Sequence, residues 1–491
     1  MLGFEPCIFP KLASLIFFRL EEENNLMELA EILSSGCDER VLIDPKTNLN
    51  KYYLNPTIYE GYFFRGSCTC ATLNEETEPM VRDFIERCKT TDVDTIIAEQ
   101  TRRVKKLLVP EKSEQFDVYF GPSGSDLMYY PLLFMHVMHP GEEIISIVTC
   151  PEELGSGSLI AAQGRFFNSK NQFGEAVQRE SLLHDSIKVK TITIPARDAH
   201  GNILDRREQI GEIIRANPGK PIIGNLVFGS KSGIKDDLNV IDDFPTGVLW
   251  AVDLCQLRNT PSLIKSLLEK GCMVLITGSK FYQSPPFCGA MLVPKKLSEE
   301  MVAADARNIK PFEKVFSKYD LPTWMTDLRE NLTDFNNLGF RARWECSIYE
   351  MEKYDSLPRK VTNRVISAWN RFVTSWIEES EFLELIPDQH KTNQTIISFR
   401  VKVNGKFLSL EELKELFKRV VTSDFNGLGI YNKAFMGQPV TYGERAFIRL
   451  ALGSFDIRTI LASGGYDPAL DNALLEHFIA KLKEIYYVQA Q

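Results

Sequence analysis

Metal-ligand spacing is the first thing this chain lacks. Of its six histidines, His136 and His139 stand at i, i+3 in an apolar stretch, and His184, His200, His390 and His477 are isolated. Its ten cysteines carry no zinc-like pairing: Cys68 and Cys70 form only a CxC, while Cys150, Cys255, Cys272 and Cys288 lie in or beside apolar runs. This pattern speaks against a metal module and fits reduced, mostly buried thiols in a cytosolic protein. Blocks of like charge are missing too. With 57 Lys and Arg against 66 Asp and Glu, the net charge is −9, which argues against nucleic acid or an anionic membrane as a partner. The N-terminal LASLIFF is too short to span a bilayer and has no basic stretch before it, so neither a signal peptide nor a membrane anchor is expected. Internal repeats and low-complexity segments are absent as well.

What the chain does have is the composition of an ordinary globular protein, 44% apolar and 25% charged over 491 residues, enough for a sizeable core. From about residue 80 to 295, short apolar runs alternate with segments of helical length: FDVYFG, EEIISIVTC, IKVKTITIP, PIIGNLVFG, GVLWAVDL, CMVLITGS and CGAMLVP. Runs rich in Val and Ile, spaced this way, predict an α/β fold with a mostly parallel sheet covered on both faces. The expected organisation is an N-terminal arm over 1–75, a large α/β domain over 76–320, and a smaller C-terminal α+β domain with a connecting helix over 321–491. In the last, RKVTNRVISAWNRFVTSWIEESEFLEL reads as a long amphipathic helix, QTIISFRVKV and AFIRLALG as strands, and SLEELKELFKRV as a helix with Ser409 as its N-cap.

Parallel sheets place ligands beyond the carboxyl ends of their strands. Three strand ends carry chemistry. FDVYFG runs into Gly121-Pro122-Ser123-Gly124-Ser125-Asp126 and then a helix, where small residues let backbone N–H groups approach an anion. Turns and N-caps favour the same residues, no GK[ST] follows, and Pro131 makes the helix kink or begin late. GVLWAVDL ends in Asp253, a carboxylate that needs a cation: Arg258 or a protonated ring nitrogen of a ligand, with Gln256 able to offer its amide. CMVLITGS ends just before Lys280, 27 residues after Asp253, about one helix and one strand on. An unpaired lysine is seldom buried, so Lys280 either reaches solvent or has chemistry to do.

An anion cradle, an acid and an amine, in that order on one sheet edge, match the needs of pyridoxal 5′-phosphate. On PSGSD, VDLCQ, TGSK and PPFCGAMLVP the chain resembles the fold-type I pyridoxal-phosphate enzymes, in style the class V aminotransferase and cysteine desulfurase group. The resemblance implies a phosphate held by Ser123, Gly124 and Ser125, a ring nitrogen held by Asp253 with Gln256 nearby, a Schiff base on Lys280 preceded by Ser279, and a homodimer acting on an amino acid. It also implies that Arg449, in AFIRLALG, binds the substrate carboxylate, and that Ser67 and Thr69, in the arm motif RGSCTCAT, approach the site. Aminotransfer is the leading reaction. A C–S or C–C lyase, a decarboxylase, or a catalytically silent scaffold stands as the alternative.

Two positions depart from the pattern. Where most members stack an aromatic or histidine on the ring, the chain has Glu152 and Glu153 in SIVTCPEELGSG. Facing the ring, Glu153 would tune protonation or hold water instead of stacking. Ser279 stands where desulfurases and group II decarboxylases usually have histidine. Ser230-Lys231-Ser232-Gly233 resembles the turn that precedes the cofactor aspartate.

Overall fold

The computed structural model describes residues 28–66, 71–198, 201–258, 260–386, 394–442 and 445–487. Strand β1 (Tyr62–Arg65) lies in the arm. Seven of the apolar runs form one sheet: β2 (Phe116–Gly121), β3 (Glu143–Thr149), β4 (Lys188–Ile194), β5 (Ile222–Val227), β6 (Val248–Asp253), β7 (Met273–Thr277) and β8 (Gly289–Pro294). Their spatial order is β2-β8-β7-β6-β5-β3-β4. β8 is antiparallel to both of its neighbours, and every other pairing is parallel, so all strands but β8 end on one edge.

Every residue of β2, β5, β7 and β8 is buried, which is why these strands read as unbroken apolar runs and not as alternating ones. Tyr119, Val148, Ile223, Leu275 and Met291 pack on one face against the Tyr129–Met138 helix. Val118, Leu226, Val252, Ile276 and Leu292 pack on the other against Phe340, Trp344 and Ile348 of the Leu338–Asp355 helix. The chain then turns into the Arg359–Glu379 helix and the second sheet.

That sheet comprises β9 (Leu383–Leu385), β10 (Ile396–Val403), β11 (Lys406–Phe407), β12 (Lys433–Tyr442) and β13 (Arg445–Ala451), and the arm's β1 joins it in parallel beside β12. Ile397 and Phe399 of β10, with Ile448 and Leu450 of β13, pack in one core with the Leu410–Thr422 and Ala469–Tyr486 helices. By the two-residue period of strands, Ser398, Phe447 and Arg449 take the opposite face. Ser409 caps its helix in a full capping box with Glu412. Arg65, in β1, ties the arm down through Asp471 at 2.7 and 3.0 Å and Asp456 at 3.3 Å.

Gly224 sits mid-strand for a packing reason. It pairs with Trp250 across β5 and β6, and a Cβ there would lie 2.3 Å from the indole ring. Gly224→Ala should therefore overpack this face and lower unfolding stability by about 1–3 kcal/mol, measured by urea titration.

Candidate functional site

β6 and β7 pair with Asp253 opposite Leu275, so Asp253 and the Thr277-Gly278-Ser279-Lys280 segment leave the sheet side by side. Thr277 Oγ1 donates to the Cys255 carbonyl at 2.7 Å, closing the two strand ends together. The Cys255 thiol lies between their charges: burial pushes it far up, Asp253 raises it further and Lys280 opposes both. Asp253 and Lys280 are each half-buried. One carboxylate oxygen of Asp253 accepts from the Cys255 N–H at 2.7 Å, and the partial exposure removes much of the desolvation cost of ending an apolar strand in an acid.

The strand-to-helix loop after β2 meets the same place. A Cβ on Gly124 would lie 3.1 Å from Cys255 Sγ and 3.4 Å from Thr277 Cγ2, so the loop backbone is pressed against the ends of β6 and β7. The three chemistry-bearing strand ends therefore converge. After the loop a single 3-10 turn, Asp126–Met128, precedes the Tyr129–Met138 helix, so Pro131 falls in the first helical turn, where its missing N–H costs nothing.

The Ser123 hydroxyl organises the loop from within. It accepts from the N–H groups of Ser125 at 3.2 Å and Asp126 at 3.4 Å, and donates to the Asp126 carboxylate at 2.5 Å. Ser125 Oγ lies 3.3 Å from Ser158 Oγ. Gln256 is buried, and its Oε1 has no hydrogen-bond partner. Ser279 is buried and hydrogen-bonds to the Cys288 thiol.

Glu153 is spent on structure. Its carboxylate accepts from the Ser230 hydroxyl, the Ser232 hydroxyl and the Ser232 N–H, the last at 3.0 Å, so it braces the Ser230–Ser232 turn. Burial raises its pKa, against these hydrogen bonds. Glu152 accepts from the Ala196 N–H at 2.6 Å. Arg258 donates to Thr395 Oγ1 at 2.7 Å and the Leu452 carbonyl at 2.8 Å, bonds that join the large sheet to the small one.

β13 meets the large domain at both of its ends. Its far end is held by these bonds and by Ser454 N–H to Phe281 O at 2.8 Å, next to Lys280. Its start lies at the loop after β4, where a Cβ on Gly201 would come 2.5 Å from Arg445 Nη1. Arg449 lies midway along β13, between these two anchor points. It is buried, with Nε unpartnered and Nη2 3.4 Å from the Gln438 carbonyl. Ser67 and Thr69 lie outside the described residues.

Sequence reading missed Arg40 and Asp38. Arg40 Nη2 donates to Ser123 Oγ at 3.1 Å across 83 positions, a contact no local motif announces. Beside this pair, burial pushes the Asp126 carboxyl up to about 7, and Asp38 raises it too, against the Ser123 and Arg40 interactions that lower it. A folded pKa above the ordinary value of about 4 means that the native state binds more protons between those limits, so stability falls as pH rises through them. Asp126→Asn removes this dependence. In chemical denaturation, the stability of the variant relative to wild type should climb from pH 4 to pH 7 and then level off; a constant difference would refute the assignment.

No family model matches the chain, and no curated protein matches its sequence. Solved structures do match it in shape. The 4-hydroxyphenylacetaldehyde synthase of Rhodiola rosea superposes with a TM-score of 0.55 at 12% identity, covering 98% of this chain and 100% of that one. The cysteine desulfurase CsdA of Escherichia coli gives 0.52 at 11% identity, covering 87% and 95%. A NifS-like protein gives 0.52 at 11%, covering 86% and 99%. What the chain shares with them is architecture: it has the fold of the fold-type I pyridoxal-phosphate transferases.

Proposed function

We propose that the chain is a pyridoxal-phosphate enzyme that acts on an amino acid, with aminotransfer as its reaction. The observation that carries this reading is the convergence of Asp253, Lys280 and the Gly124 backbone around Cys255 and Thr277. The donor set suits the cofactor. Lys280 offers an amine for its aldehyde, Asp253 a carboxylate for its ring nitrogen, the buried and unpartnered Gln256 Oε1 a polar contact, and the Ser123–Ser125 loop a seat for its phosphate.

Bound there, the cofactor supplies an electron sink for negative charge at the substrate Cα. The side chains do the rest. Asp253 holds a proton at the ring nitrogen, and Lys280, half-exposed at the strand end, moves the proton at Cα. Arg449 grips the substrate carboxylate with its planar fork. Because Glu153 is committed to the Ser230–Ser232 turn and Ser279 to Cys288, neither competes with Lys280 for proton transfer, which favours transfer over elimination. A lyase or decarboxylase is the second reading, supported by the two named matches above, an aldehyde synthase and a desulfurase. We place the enzyme in the cytoplasm, supported by seven free thiols among the described residues, and take it as a homodimer on its resemblance to the fold-type I enzymes; no described helix is long and apolar enough to cross a membrane.

The purified protein should be yellow, and borohydride should fix a pyridoxyl group that peptide mapping finds on Lys280. A colourless protein that cannot be reconstituted points to a scaffold. Lys280→Ala should stay folded and lose the covalent link. Asp253→Asn should bind the cofactor but slow Cα deprotonation by roughly 10²-fold or more, read as exchange of the Cα hydrogen in heavy water; near-normal exchange rules the role out. Arg449→Lys should raise KM for carboxylated substrates about tenfold, while amines without a carboxylate are unaffected. Product analysis separates transfer, which yields a keto acid, from elimination or loss of CO2.

A further inference from the structure

Arg40 is buried and far from the Asp253–Lys280 strand ends in sequence, yet it touches the loop after β2 and the segment that follows Lys280. Its fork closes on Asp38, with Nε at 2.7 Å from Oδ1 and Nη2 at 2.6 Å from Oδ2, and Nη2 also donates to Ser123 Oγ at 3.1 Å. The guanidinium lies 4.4 Å from the ring centroid of Phe287, in the segment that follows Lys280, and 5.3 Å from that of Phe167. Arg343 laces the arm to the same segment, donating to the carbonyls of Phe287 at 2.8 Å, Leu33 at 2.9 Å and Ser35 at 2.7 Å.

The hydrogen-bond bookkeeping at Ser123 gives Arg40 a direction of action. With Arg40 and two backbone N–H groups donating to its oxygen, the Ser123 hydroxyl must send its own proton to Asp126. The oxygen thereby holds the Ser125 and Asp126 amides in the loop that faces Cys255 and Thr277. Resting on the proposed function, we propose that Arg40 is a positioning residue for the phosphate: docking of the arm and seating of the anion are one linked event. By reciprocity, phosphate binding then tightens the arm. Charge is consistent with this. Asp126 interacts with Asp38, Arg40 and Cys37 of the arm and with Tyr129 and Tyr130 of the helix that follows its turn, and Cys37 in turn interacts with Arg343. Asp38 offsets Arg40, and the raised Asp126 carboxyl can turn neutral beside an arriving anion.

The test is calorimetric titration of the full chain with three probes: pyridoxal phosphate, pyridoxal and inorganic phosphate. Arg40→Gln should weaken pyridoxal phosphate and phosphate roughly 10- to 100-fold and pyridoxal less than about twofold. Arg40→Lys, which keeps charge without the fork, should recover part of the loss. Ser123→Ala should match Arg40→Gln, and the double variant should be no worse than either, because both act through one contact. In wild type, phosphate should slow tryptic cleavage of the arm, and in Arg40→Gln it should not. Equal losses for pyridoxal and its phosphate, or no loss, overturn the proposal; if Arg40→Gln does not fold, Arg40→Lys decides by the same criteria, its partial loss expected only for the two phosphate-bearing probes. Arg40-dependent phosphate binding without a covalent pyridoxal link sinks the proposed function and leaves this inference standing. The reverse result sinks the inference alone, and a wild type that binds none of the probes sinks both.

Discussion

The parallel pairing of β6 with β7 is the constraint on which the site depends. Parallel neighbours end on the same edge, and the crossover between them must travel back over the sheet, so the 27 residues from Asp253 to Lys280 are used up in returning the chain to that edge. An acid and an amine at two successive carboxyl ends are thereby brought together by topology, before any side chain chooses a partner. The same topology buries both faces of the sheet. Once the faces are apolar, the carboxyl edge is where polar chemistry is affordable, and the glycine at 124 lets the loop backbone close in on it.

Buried arginines fix what topology leaves loose. Among its described residues the arm contributes the short strand β1 to the small sheet and otherwise consists of a helical stretch at 28–33 and turns. Its position is set by Arg65 on Asp471 and Asp456 and by Arg40, itself held by Asp38 of the arm, on Ser123. Such pairs add little net stability, because desolvation cancels much of the Coulomb gain, but removing one partner strands a charge in the interior. They act as position markers: a displaced arm takes Arg65 away from Asp471 and Asp456 and takes Arg40 away from Ser123. Arg206 on Asp236, with Thr149 also donating to that acid, marks the ends of β3 and β5 in the same way.

The large sheet was legible because its signals are local. Each of the seven apolar runs became a strand, Pro131 delayed its helix, and Ser409 capped its own. The convergence of Asp253 and Lys280 was legible too, since it follows from spacing and strand polarity. Contacts between segments distant in the chain were not. Nothing near Arg40 points to a loop 83 positions on, and nothing in the SIVTCPEELGSG segment shows that Glu153 will be claimed by three donors of the Ser230–Ser232 turn. Both depend on how finished elements stack, which a period or a motif does not encode.

The segment from Phe281 to Phe287 draws these threads together. It begins next to Lys280; its first half is bound to the Ser454–Ala462 helix that follows β13 and its end to Arg40 and Arg343. Phe281 O accepts from Ser454 beyond β13, and Gln283 exchanges two hydrogen bonds of 3.1 Å with Asp456. Phe287 meets Arg40 through its ring and Arg343 through its carbonyl. Asp456 in turn holds Arg65 of the arm, and burial pushes its carboxyl up to about 6. Small sheet, arm and lysine strand therefore share one short stretch of backbone. A shift of the small sheet cannot occur without either moving the residue that follows Lys280 or breaking the Ser454–Phe281 bond, so the position of β13 is registered beside the lysine. That shared segment, and not either sheet alone, sets where the small sheet stands relative to the backbone beside Lys280.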